Sequence, residues 1–200
     1  MSRKANQADI GTKVIGVRTV GDMLFKLHWE LMQLAIAQSK SRKGLSAVTA
    51  ATYGAFNSAV TAWHVVDWAW AALSREQKKL VCPTGKVDEF KKGLILDCPE
   101  LGICQALTNN GKHAIATYGP SLKVREIIGM HSVPVGQLRA GDPIRTIQHE
   151  IYLSDGGVEQ PAIVVFRKVA RFLQERLLKL GLLDDLWKVA SFFDEPAASH

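Results

Sequence analysis

Residues 46–73 carry the pattern that most restricts how this chain can fold. The stretch is rich in alanine, sets Phe56, Val60, Trp63 and Trp70 on related faces at helical spacing, and is apolar on more than one side. A helix with apolar residues around most of its circumference has to be covered by neighbouring elements. The spacing therefore predicts a helix buried on more than one side.

Elements that can cover it are legible on both flanks. Thr19 and Asp22 have the spacing of a capping box, and Val20, Met23, Leu24, Leu27, Leu31 and Leu34 then recur at helical intervals up to the basic linker 39–44. Asp97, Pro99 and Glu100 read as a helix start, with Asp97 as the cap and the helix ending near Gly111. After His113 the pattern shifts to short runs rich in Ile, Val and Tyr at 114–118, 124–130 and 144–153, and Asp155-Gly156-Gly157 has the composition of a hairpin turn. Pro161 opens a long helix with Ile163, Val164, Phe166, Val169, Leu173, Leu177 and Leu178 as its apolar face and Gly181 as its stop. A short further helix is expected over 184–193.

The expected fold class is mainly α (α+β): a helical bundle over 19–113, a small antiparallel β-sheet over about 114–158, and a long C-terminal helix that packs back on the bundle. Residues 1–18 are expected to form a flexible N-terminal arm, 19–195 a single domain, and 196–200 a frayed tail.

Composition excludes several classes. At 200 residues, 47% apolar and 22% charged, the chain can bury a core without a staple. Cys82, Cys98 and Cys104 are odd in number and form no C-x-x-C pair, and Met1 to Asp9 lacks the apolar core of a secretion signal, so a reducing cytoplasm is the expected location. The apolar run at 62–73 is broken by His64 and Asp67 and falls short of the ~20 apolar residues a bilayer crossing requires. No membrane partner is expected. The net charge of +6 comes from small clusters, Lys40 with Arg42 and Lys43, Lys78 with Lys79, Lys91 with Lys92, and Arg167 with Lys168 and Arg171. These permit an anionic partner, although a solvated basic surface explains them more simply.

The candidate site is a set of polar residues on the alanine-rich helix. Asn57, Thr61, His64 and Asp67 step by four, three and three, and so share roughly one face among Ala, Val and Trp. Buried polar groups need hydrogen-bond partners, and the expected source is the end of the helix after Asp97, where Asn109, Asn110, Lys112 and His113 cluster. His64 and Asp67 facing His113 would suit acid/base chemistry, a metal held by His64, Asp67 and His113, or a network that fixes helix register. His28, near Glu30, would be a third histidine and a fourth ligand for such a metal, and packing explains it more simply. Trp63, Trp68 and Trp70 read as core, the cysteines as small buried hydrophobes, and His131 and His149 receive no role. No cofactor is assigned.

The run Trp63-His64-Val65-Val66-Asp67-Trp68, the stretch from Cys98 to Asn109-Asn110-Gly111-Lys112-His113, and the hairpin-then-helix over 152–178 resemble a group of uncharacterised bacterial and phage proteins with H-x-x-D-W and N-x-x-K-H motifs. That resemblance covers about 19–180 and implies a fold, not an activity. Where its pattern has Arg-Asp after the cysteine, this chain has Gln105-Ala106. A looser similarity is to HEPN-type helical proteins, whose ribonuclease members, of the toxin or phage-defence kind, usually act as dimers. It implies His113 as general acid or base, Lys112 as the phosphate-binding cation and Asn109 nearby, although the arginine of the usual motif is missing. Similarity to the DinB-type helical bundles implies instead a metal-dependent hydrolase ligated by His64, Asp67 and His113.

The reading that follows is an intracellular binding or regulatory protein with a buried His64/Asp67/His113 polar centre. Its expected partners are a nucleic acid, RNA in particular, or another protein, with a homodimer among the arrangements open to it. Ribonuclease and hydrolase activities stand as alternatives.

Overall fold

The structure is a computed structural model that describes residues 16–39, 45–112, 123–132, 145–155 and 158–189. Among these it has seven helices, α1 (Val20–Ser39), α2 (Leu45–Ala72), α3 (Arg75–Val81), α4 (Val87–Asp97), α5 (Glu100–Lys112), α6 (Ala162–Lys179) and α7 (Leu186–Val189). Three strands, β1 (Lys123–Ser132), β2 (Arg145–Asp155) and β3 (Val158–Pro161), form one antiparallel sheet in the order β1-β2-β3. The β2–β3 hairpin immediately precedes α6. A mainly helical architecture with a small sheet before the long C-terminal helix is therefore observed.

α1 starts at the capping box read from the sequence. The Asp22 N–H donates to Thr19 Oγ1 at 3.0 Å, and the Arg18 and Thr19 N–H groups donate to Asp22 Oδ2 at 2.9 and 2.8 Å. Val20, Leu24, Leu27, Leu31 and Leu34 then face the core. α2 is its closest partner. Lys26 meets Thr61, and the Leu34 backbone meets Gly54, so the two helices run antiparallel.

α2 also packs against α5, α6 and β2, which is why it is apolar around so much of its surface. Buried Ala51, Ala55, Ala59, Ala62 and Ala69 let these neighbours approach closely. The sheet joins the core through Ile151 and Leu153 of β2, which are buried, while the alternating Tyr152 and Ser154 are half-buried.

α6 ends as its glycine predicts. Gly181 has φ +68°, its N–H donates to the Leu178 carbonyl, and the Leu182 N–H donates to the Leu177 carbonyl, both at 3.0 Å. These two bonds form a Schellman motif, for which a residue without Cβ is suited. Gln174 of α6 then holds the Trp187 carbonyl of α7 at 2.6 Å.

Two expectations change. No element is expected over 74–96 from the apolar period, and α3 and α4 lie there; α3 begins at a capping box between Ser74 and Gln77. Asp97 closes α4, and its carboxylate lies 3.8 Å from Arg176 of α6. Residues 1–15 of the expected arm, the strand at 114–118, His113, the glycines of the hairpin turn and the tail at 196–200 lie outside the described residues.

Candidate functional site

The polar residues of α2 meet different neighbours. Thr61 is buried, and its hydroxyl oxygen accepts a hydrogen bond from Lys26 Nζ of α1 at 2.6 Å. The same ammonium pairs with Glu30 Oε1, one turn further along α1. Glu30 is only 5% exposed, and its Oε2 is buried without a hydrogen-bond partner. A carboxylate this deep depends on its counter-ion.

Further along α2, Asp67 is half-buried and pairs with Lys91 Nζ of α4 at 2.5 Å. Lys91 also lies over the Trp63 ring, 5.0 Å from its centroid. His64 is half-buried and Asn57 exposed. The expected buried polar face is thus corrected: only Thr61 is buried, and the carboxylate of Asp67 is taken up by Lys91. The reason is geometric. α1 and α4 approach α2 from different sides, so residues one or two turns apart are handed to different helices.

Of the other expected site residues, Asn109 is exposed on α5 and Lys112 is the last residue of that helix. His113 and its expected meeting with His64 and Asp67 lie outside the described residues. The half-buried His28 ring packs on Phe25, with centroids 6.1 Å apart. Among the described residues, no three His, Cys, Asp or Glu side chains are grouped to hold a metal ion.

A second ionic cluster joins α5 to α6. Glu100, the first residue of α5, is nearly buried, and Lys168 Nζ reaches its Oε1 at 2.5 Å. Cys98 Sγ lies 3.6 Å from Oε2. Burial raises the Glu100 carboxyl, but the hydrogen bond and charge of Lys168, together with a backbone N–H, outweigh it and hold the group below its ordinary value. Burial pushes the Cys98 and Cys104 thiols up, keeping both protonated. The Thr84 hydroxyl holds the Cys82 thiol below its ordinary value, yet Cys82 is itself buried.

Lys168 stands at the edge of the outer face of α6. The inward face of that helix holds Val165, Phe166, Val169, Leu173 and Leu177. On the opposite face, Val164, Arg167, Lys168, Arg171, Phe172 and Glu175 line an open hollow of about 400 Å³. Arg171 is exposed, and the Lys168 side chain keeps 62% of its surface in solvent despite its bond to Glu100. Guanidinium groups one helical turn apart offer forked donors to phosphate or carboxylate oxygens, and Phe172 supplies an apolar surface beside them.

The sequence shows this basic cluster, and helical spacing also sets Phe172 beside it. The signal was present in the i, i+4 and i+8 spacing of Val164, Lys168 and Phe172. In comparisons with known proteins, no family model matches the chain, and no curated protein or solved structure matches it either.

Proposed function

We propose that this is a binding protein whose outer α6 face takes an anionic partner, the phosphate backbone of a nucleic acid. The observation that carries this reading is the convergence of Arg167, Lys168 and Arg171 with Phe172 on one open hollow. The net charge of +6 favours the encounter. Glu175 at the hollow and Glu100 against Lys168 offset part of the positive charge, so the affinity is weak and carried mainly by counterion release.

The ribonuclease and hydrolase readings have less support. Both pass through His113, and the second also asks Asp67 to ligate a metal while it is paired with Lys91.

Fluorescence anisotropy with labelled single-stranded RNA and with a DNA duplex, over a series of salt concentrations, tests the proposal. Weak binding of both is expected, with log K falling linearly in log salt. Arg167→Gln and Arg171→Gln should each lower affinity and reduce the slope by roughly one. Variants that bind like the wild type would reject the α6 face. Cleavage of the RNA that is lost in a folded His113→Asn variant would favour the ribonuclease instead.

A further inference from the structure

α1 carries a second apolar stripe on the side away from the core. Phe25, Trp29, Met32 and Ile36 keep 54%, 54%, 44% and 38% of their surfaces exposed. Their spacing of four, three and four is the a/d repeat of a helix that packs along another helix. Large side chains repeated in this way along one outer face are unusual for a surface that meets only water.

We propose that this stripe is the seam of a homodimer in which α1 packs antiparallel to the same helix of a second copy. Two features select a second copy as the occupant. First, the stripe is self-complementary: a two-fold axis between Trp29 and Met32 sets Trp29 on Met32 of the partner subunit and Phe25 on Ile36 of the partner subunit. Each aromatic ring then faces a flexible or branched aliphatic side chain, and the closed two-fold contact leaves no open end.

Second, the residues beside the seam are Lys26, His28, Gln33 and Ala35. The only lysine among them is held by Glu30 and Thr61 of its own chain, and antiparallel packing brings it beside Gln33 of the partner subunit, with no like-charge clash. A helix that lies on an anionic membrane carries rows of Lys and Arg along its polar flank, and α1 has none there. The seam spans three helical turns of one element, so its area lies at the low end for stable association and the dimer dissociates on dilution.

Sedimentation velocity over a dilution series tests the proposal. Wild-type protein should pass from dimer at high concentration to monomer on dilution, with little dependence on salt, unlike the nucleic-acid binding proposed for α6. Trp29→Glu and Met32→Glu should each be monomeric throughout with an unchanged circular dichroism spectrum. Tyr53→Glu, at a still more exposed aromatic on α2, should leave the dimer intact. For orientation, a mixture of Phe25→Cys and Ile36→Cys proteins should give a mixed disulfide on oxidation. A wild type that stays monomeric up to its solubility limit overturns the proposal, and so does a dimer that both glutamate variants preserve. Cross-linking of Phe25→Cys only to itself overturns the antiparallel arrangement.

Discussion

Lys26 reaches from the rim of α1 to two buried groups, the Glu30 carboxylate and the Thr61 hydroxyl. Truncating it to methionine strands a buried charge without its counter-ion. Its side chain is 44% exposed, so water recovers part of the loss, and Lys26→Met should cost about 1–3 kcal/mol. Glu30→Gln removes the charge instead and leaves Lys26 in contact with water, so it should cost less than about 1 kcal/mol. Urea unfolding of both variants checks the order, and equal losses would contradict it. The sequence marks Thr61 but not this pair, because Lys and Glu four apart on a helix read as an ordinary surface pair. Only the packing around α1 buries Glu30. Likewise, nothing local to His64 or Asp67 announces that Lys91, on a helix beyond a turn, takes the carboxylate.

Two glycines inside helices separate intrinsic helix preference from packing. A Cβ at Gly93 of α4 would meet nothing within 4 Å, whereas one at Gly54 of α2 would come within 3.3 Å of Leu34 Cα. Alanine in place of a helical glycine gains about 0.5–1 kcal/mol from propensity alone, so Gly93→Ala should stabilise by that amount. At Gly54 the clash is with the backbone of α1, which cannot rotate away, and Gly54→Ala should destabilise by about 1 kcal/mol or more. Thermal melts should therefore move in opposite directions, and a shared sign would refute the argument. The same distinction explains which elements were legible. α1, α2 and α6 bury long apolar faces and announce themselves by period, α1 also by its capping box, and α5 is announced by Pro99 and Glu100 at its start. α3 buries no residue and α4 buries only Phe90 and Leu94, so their periodic signal is short, and the Ser74–Gln77 capping box was the one local clue to α3.

Across the whole molecule, the Glu100–Lys168 pair ties α5 to α6 and links stability to pH. The folded carboxyl titrates below its ordinary value, so its contribution is present above an unfolded value of about 4.3 and is lost as pH falls through the folded value. Asp22 acts in the same direction: burial raises it, but the Arg18 and Thr19 N–H groups lower it further. Melting temperature should thus fall on acidification below about pH 4, and Lys168→Met should flatten that fall. A variant with an unchanged acid profile would show that the pair does not couple the helices. What the sequence determined by itself was the order of the main elements, the capping box of α1, the glycine stop of α6, and the apolar faces that require a bundle, because these depend on residues three or four apart. Tertiary structure alone decided that Glu30 is buried, that Lys91 takes Asp67, and that Lys168 stands between Glu100 and the hollow on α6. Those partners are brought together by packing between distant segments, which no local spacing encodes.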